Sequence, residues 1–233
     1  MIKKYVVKDF ERPRQDILKK YQNLDVSTVY EAQGKKGLMN NGLKPNLQEK
    51  YICGPAVIAT CYAGSNLMVH AAIEVCKPGD ILLINVIGES EAGMIGELIV
   101  KALIKKQVAG VIIDAGIRDA KEIRNLDFPV WSKTVYSEGT TKSRTGWVNA
   151  STVFRGIEVK PGDLVLADED GVVIVEQENL KNTLEASHKR MEKEAITKDK
   201  IEAGQISMDF YGLRSTLQEE GVEYYEYLNK KND

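Results

Sequence analysis

"ILLINVIGESEAGMIGELIVKALIKKQVAGVIIDAGIRD", residues 81–119, is the stretch that decides the fold. It opens on an apolar, β-forming run from Ile81 to Val86 and crosses a loop holding Gly88, Gly93 and Gly96. A helical pattern follows from Met94 to Lys106, opening at about Gly96, with Ile95, Leu98, Ile99, Ala102 and Leu103 on one predicted face. The stretch then returns to an apolar run, Val111-Ile112-Ile113, which ends in Asp114-Ala115-Gly116 and an adjacent Arg118 and Asp119. Strand, helix and strand in this order form a βαβ crossover, so the two strands lie parallel in one sheet.

The same alternation extends on both sides. The runs "GPAVIATCYA" (54–63), "FPVWSKTV" (128–135), "DLVLAD" (163–168) and "VVIVE" (172–176) read as further strands, and "NLMVHAAIEVCKP" (66–78) as a helix stopped by proline. The predicted class is therefore α/β. "DEDGVV" (168–173) reads as a tight hairpin with Asp170-Gly171 in the turn. Ahead of these lie a short helix over Ser27 to Gln33, with Ser27 its predicted N-cap, and a loop, "GKKGLMNNGLKP" (34–45). A Pro-Gly turn leading into a strand occurs twice, in "CKPGDILLIN" (76–85) and "VKPGDLVLAD" (159–168). It is either a reused turn or the trace of a duplication, and Asp80 and Asp163 open strands rather than close them, which makes them poor catalytic candidates.

Composition changes after 176. The predicted division is an α/β catalytic domain over 1–175 and a C-terminal helical extension over 176–233. The extension holds a long charged helix ending at Gly204, with a thin apolar stripe of Leu180, Leu184, Met191 and Ala195. With the aromatic segments "MDFYGLR" (208–214) and "VEYYEYL" (222–228), it reads either as a solvated face on its own domain or as an arm on a neighbouring subunit. Tyr211 and its neighbours read as interface packing.

Thirty-two basic against thirty-four acidic residues, net charge −2, give no electrostatic case for nucleic acid or a membrane surface. No apolar run approaches the roughly 18–20 residues of a membrane span, and "MIKKYVVKDFERPRQ" lacks the apolar core of a signal peptide. Cys53, Cys61 and Cys76 form no CxxC pair and read as buried thiols of a cytoplasmic protein. Two histidines, His70 and His188, leave no room for a metal centre built on several imidazoles.

Chemistry is expected where the loops after "ILLINV" and "GVIID" leave the carboxyl ends of parallel strands, the edge at which open α/β sheets bind ligands. The helix opening at Gly96 offers amide N–H groups to an anion. Arg118 supplies a planar donor fork suited to a carboxylate or 2-oxo acid. Asp119 adds a hard oxygen ligand and Glu97 a second carboxylate. This set suits Mg²⁺ or Mn²⁺ held largely through water rather than zinc. Each residue has a plainer reading: Glu97 serves the helix dipole, Asp119 caps "AKEIRNL" (120–126), and Arg118 pairs with Glu122. Asp114 is a candidate for orienting Arg118, His70 reads as a core histidine, and Asp168 and Asp170 as hairpin residues.

The order acid, twenty residues, Arg-Asp (Glu97, 98–117, Arg118-Asp119) within "GELIVKAL…GVIIDAGIRD" resembles the RraA-like superfamily. So do "STVYEAQGKKGLM" (27–39), the segment 54–86 and "VKPGDLVLADEDGVVIV" (159–175), while "AGQISMDFYGLRSTLQEEGVEY" (203–224) is similar to the C-terminal region of the class II pyruvate aldolase branch. That branch acts on 4-hydroxy-4-methyl-2-oxoglutarate and 4-carboxy-4-hydroxy-2-oxoadipate. The resemblance implies a layered α/β/β/α domain with a C-terminal helical arm, and Asp119 as the carboxylate contacting a divalent cation. It implies that Arg118 grips the 2-keto oxygen, and that backbone amides around Met94 to Leu98, including Gly96, Glu97 and Leu98, hold the pyruvyl carboxylate. Glu97 stands where the aldolases often have aspartate, with a longer arm. A glutamate from the C-terminal helix of an adjacent subunit, Glu194 rather than Glu192, would complete the site of a homotrimer or dimer of trimers. The implied reaction is retro-aldol cleavage of a 4-hydroxy-2-oxo acid to pyruvate, with oxaloacetate decarboxylation as a side activity. Alternatives are a regulator that binds a ribonuclease without catalysis, or a lyase or decarboxylase acting on a sugar-acid-derived 2-oxo acid. The RNase-regulating branch tends to lose the aspartate after the arginine, and this chain keeps it.

Overall fold

The computed structural model describes residues 3–225. Helices α1 (Gln15–Tyr21) and α2 (Val26–Ala32) are followed by strands β1 (Lys44–Pro45) and β2 (Ile52–Tyr62). Then α3 (Leu67–Val75), β3 (Ile81–Ile87), β4 (Gly93–Ile95), α4 (Glu97–Lys105), β5 (Gly110–Ile117), α5 (Ala120–Asn125) and β6 (Val130–Val135) run in strict alternation apart from the short β4. Strands β7 (Trp147–Val148), β8 (Thr152–Phe154), β9 (Ile157–Val159), β10 (Leu164–Ala167) and β11 (Val172–Val175) lead into α6 (Leu180–Glu202), α7 (Ser207–Phe210) and α8 (Leu213–Glu219).

The main sheet has the order β1-β6-β5-β3-β2-β10-β11, with β4 beside β5 and β7 beside β2. Strands β2, β3, β5 and β6 are parallel, as the crossover pattern requires, while β10 and β11 add an antiparallel wing. Alternation along the strands sorts the core. Val57, Ala59, Leu82, Ile84, Val111 and Ile113 face the helices α3, α4 and α5. Ile58, Leu83, Ile112 and Trp131 face the opposite side, where Phe154 and Val159 of the β8–β9 hairpin cover them. A third cluster packs α1, α2 and the start of α6 on Leu164, Leu166, Val173 and Val175 of the wing. This is a layered α/β architecture.

Three details differ from the sequence reading. The helix α2 is capped by Asp25, whose carboxylate accepts the Thr28 N–H at 2.6 Å, while Ser27 donates its hydroxyl to Asp170. A carboxylate also answers the positive end of the helix dipole, which a hydroxyl does not. The helix α4 opens near Gly96 as expected, with Gly96 its N-cap and Glu97 first, but the helical pattern does not include Met94 and Ile95, which lie in β4 beside the end of β5. Its buried positions are Val100 and Leu103, and Leu98 is left 79% exposed.

The twin Pro-Gly turns flank the same strand: β3 pairs with the second half of β2, and β10 with the first half. In each, the aspartate folds back on the turn, Asp80 accepting the Lys77 N–H (2.7 Å) and Asp163 the Lys160 N–H (2.8 Å). Asp80 is fully buried and also receives a two-pronged contact from Arg12 at 2.8 Å on both oxygens.

The chain divides into two compact units, one up to His188 and one from Lys189 onward. Within the first, Leu180, Thr183, Leu184 and Ser187 of α6 are buried. In the second, Met191, Ile196, Ile201, Tyr211 and Leu213 are exposed, and Asp209 pairs with Arg214. Of the aromatic segment 222–228, residues 226–228 lie outside the described residues. No helix among the described residues is long and apolar enough to cross a membrane.

Asp80→Ala should lower stability by about 3 kcal/mol in urea unfolding, because it takes from Arg12 its buried partner, leaving the exposed Asp9, and opens the turn. A loss under about 1 kcal/mol would mean that the buried pair contributes little beyond its packing.

Candidate active site

The loops after β3 and β5 meet at the carboxyl end of the sheet, and β4 brings them into register. Gly93 pairs with Gly116 and Ile95 with Ile117. The Arg118 N–H donates to Ile95 O at 3.0 Å, and the Gly93 N–H donates to Glu138 O at 2.8 Å. The arginine is thus fixed at its backbone by the residue that immediately precedes Gly96.

Asp119 follows with φ 54° and ψ 37°, the left-handed region. It stands at the N-cap position of α5, yet its side chain caps nothing there. Its Oδ2 instead accepts the Glu97 N–H at 3.1 Å, the first amide of α4. Gly96 makes this approach possible, since a Cβ at 96 would sit 2.3 Å from Asp119 Oδ2. The predicted capping of 120–126 by the Asp119 side chain is therefore replaced by a carboxylate docked on the neighbouring helix.

The anion-binding amides are correspondingly shifted. Glu97 N–H is taken by Asp119, and the first i→i−4 bond of α4 runs from Val100 N–H to Gly96 O (3.1 Å). The amides of Leu98 and Ile99 complete the first turn of the helix, whose amides precede any intrahelical partner. Arg118 Nε lies 3.9 Å from Asp119 Oδ2, and both side chains are nearly half exposed. Glu122 forms no ion pair with Arg118 among the described residues.

Other expected participants lie elsewhere. The Glu97 carboxylate turns along its own helix to Lys101, 2.6 Å away. Asp114 does not orient Arg118; it pairs with Arg155 at 2.6 Å. The alternation of β5 explains this, because Asp114 follows Ile112 on the face covered by β8 and β9. Glu194 belongs to the second unit and pairs with Arg190 at 2.8 Å, one turn back on α6, while Glu192 is exposed.

Arg118 and Asp119 line a cleft of about 160 Å³ with Asn66, His70, Gly96, Leu98, Thr140 and Lys142. Four of these, Asn66, His70, Thr140 and Lys142, were not singled out as site residues from the sequence. His70 is exposed rather than in the core, because Met68, Val69 and Ala72 turn the apolar side of α3 to the sheet. Partial loss of solvent and the nearby Lys142 ammonium lower its imidazole from the ordinary 6.5, which favours the neutral form. Asn66, at the N-cap of α3, donates its Nδ2 to Met94 O at 2.9 Å. Its buried Oδ1 has no partner among the described residues. The spacing Asn66 to His70, one helical turn, is the only sequence signal that could have found this wall. Lys142 sits in a polar loop without one. A larger cavity of about 500 Å³ is bordered by Gln33, Lys36, Glu158 and Glu176, with Lys36 the single cation among its lining residues.

The donor set fits one type of cation. Among the described residues no three of His, Cys, Asp and Glu gather as a closed cage. Asp119 offers Oδ1, which has no partner among them, as a single hard oxygen ligand. Mg²⁺ and Mn²⁺ accept such sites and keep several waters.

A sequence profile of the family described as RraA-like, Aldolase/RraA, matches residues 24–174. The chain belongs to the RraA-like family. This RraA-like chain is 23% identical over 203 residues to a Halalkalibacterium halodurans protein named "Putative 4-hydroxy-4-methyl-2-oxoglutarate aldolase", covering 87% of this chain and 94% of that one. It is 30% identical over 195 residues to an uncharacterized protein of Methanocaldococcus jannaschii, covering 82% and 92%. Its fold matches the crystal structure of RraAS2 from Streptomyces coelicolor, described as an unusual member of the RNase ES inhibitor RraA family. That match has TM-score 0.74 at 23% identity and covers 82% of this chain and 99% of that one.

Gly96→Ala in this RraA-like protein should leave the helix content unchanged by circular dichroism and weaken Mn²⁺ binding, followed by electron paramagnetic resonance, about tenfold. Unchanged affinity would show that Asp119 does not need its seat on the Glu97 amide.

Proposed function

We propose that the protein is a divalent-metal-dependent class II aldolase that cleaves a 4-hydroxy-2-oxo acid, of the 4-hydroxy-4-methyl-2-oxoglutarate type, to pyruvate. The observation that carries this reading is one cleft holding the Arg118 fork, the Asp119 carboxylate and the first turn of α4. The names borne by relatives at low identity support a lyase of this kind.

In this reading the Leu98 amide, at the opening of α4 with Gly96 and Glu97, receives the pyruvyl carboxylate. Arg118 donates to the 2-keto oxygen and holds the charge that develops on it as the C3–C4 bond breaks. Asp119 would hold the cation, Mg²⁺ or Mn²⁺, which when bound supplies a Lewis acid for the keto group. Glu97 takes the 4-hydroxyl proton through water, which requires its carboxylate to leave Lys101. Lys142 and His70 border the part of the cleft left for the rest of the substrate, where an ammonium suits a second carboxylate. Oxaloacetate would lose CO₂ by the same route, since that bond also leaves a pyruvate enolate. Aldol cleavage through a Schiff base would need a lysine at the keto carbon, a place this reading gives to Arg118.

Pyruvate release should be seen from 4-hydroxy-2-oxo acids and, more slowly, from oxaloacetate, and should depend on added Mg²⁺ or Mn²⁺. Asp119→Ala should reduce it at least about a hundredfold. Full metal-dependent cleavage by that variant would overturn the scheme, and no pyruvate from any of these compounds would favour a binding protein of the ribonuclease-regulating kind.

The proposal includes a homotrimer or dimer of trimers in which Glu194 of a neighbouring copy completes the site. Sedimentation at micromolar concentration should show a trimer or larger, and a monomer would remove Glu194 from the reaction.

A further inference from the structure

Two loops cross beside the cleft and are stitched together over a few residues. Thr141 N–H donates to Gly64 O (2.9 Å) and Asn66 N–H to Thr141 O (3.0 Å). Three residues on, the Ser65 hydroxyl accepts the Arg144 N–H at 3.1 Å and donates to Arg144 O at 3.4 Å. The Arg144 guanidinium lies 4.3 Å from the centre of the Tyr62 ring. Lys142 and Ser143 form a short arch between these two tethers, closed by a 2.9 Å contact between the Thr141 and Ser143 hydroxyls.

We propose that Ser65 is a positioning residue that gives the cleft its preference for 2-oxo acids with a second carboxylate, by fixing the arch that presents Lys142. The inference rests on the reading of the cleft as a 2-oxo acid site. Lys142 is exposed, with a long flexible stem, and gains selectivity only if its backbone is held. Ser65 does the holding from a buried position, 1% exposed. A hydroxyl has one hydrogen and free lone pairs, and here both functions are spent on the same residue, Arg144. Gripping one residue by its N–H and its C=O fixes the peptide planes on both sides of it. Alanine at 65 would release both groups to water and lower the fraction of molecules with Lys142 in place. Affinity for the ligand falls with that fraction.

The test uses the full chain with Mg²⁺ present and compares calorimetric Kd values for 2-oxoglutarate, which has two carboxylates, and pyruvate, which has one. Ser65→Ala should weaken 2-oxoglutarate about tenfold and pyruvate by less than about twofold. Trypsin should cut the variant faster after Lys142 or Arg144, as read by mass spectrometry. In a Lys142→Met background, Ser65→Ala should add nothing to the loss for 2-oxoglutarate. Ser65→Cys, which keeps the size of the side chain but exchanges the hydroxyl for a weak donor and acceptor, should act in the same direction and carries the test if Ser65→Ala does not fold. Equal weakening of both ligands, a full Ser65→Ala effect without Lys142, or no binding of 2-oxoglutarate by the unmodified protein would each overturn the inference. Selective binding without pyruvate release from any substrate would remove the aldolase reading and leave this one standing.

Discussion

One hydrogen bond organises the carboxyl edge of this sheet: the Asp119 carboxylate on the first amide of α4. It joins the loop after β5 to the helix that precedes β5, so the two ends of one crossover close on each other. The bond needs an absent side chain at Gly96 and a left-handed residue at 119, and both are present. Its effect is to spend one free amide of a helix start on the protein's own carboxylate. Negative charge is thereby fixed beside the remaining amides and the Arg118 fork, giving a cleft with both signs of charge at close range.

The scaffold around that bond is stiff where it matters. Strand β4 is only three residues long, but it sets the height of Gly96 against Arg118 through its pairing with β5. The long β2 is braced on both sides by strands that each begin at a Pro-Gly-Asp turn. On the far face, Arg155 and Asp114 tie the β8–β9 hairpin to β5 a few residues before the site, without entering it. Polar groups on the two faces of one strand thus have separate duties.

The parallel core was legible because β3 and β5 are short, apolar and bounded by glycine, proline or aspartate, so pattern and position agree. Arg118 and Asp119 were legible for the same reason, since a strand end in a crossover sheet locates them. The start of α4 at about Gly96 was legible as well, but the strand just ahead of it was not, because Met94 and Ile95 satisfy a helical repeat as well as a strand, and only pairing with β5 decides between them. Likewise, no local pattern shows that Asp119 reaches across to Glu97 rather than capping its own helix. His70 was misplaced because an apolar run suggests burial all round, whereas α3 has a single buried side. Lys142 and Ser65 belong to loops whose meeting is a matter of tertiary contact alone.

The left-handed backbone at Asp119 bears on how such a protein can change over time. A residue with a Cβ held in that region costs on the order of 1–2 kcal/mol that glycine would not incur. The charge carried on this strained residue is thus maintained against the grain of folding. Glycine at 119 would relieve that strain but give up the bond to the Glu97 amide, so the two effects oppose each other. In a fold of this kind one position thus carries two opposed demands, a relaxed backbone and a carboxylate seated on the neighbouring helix.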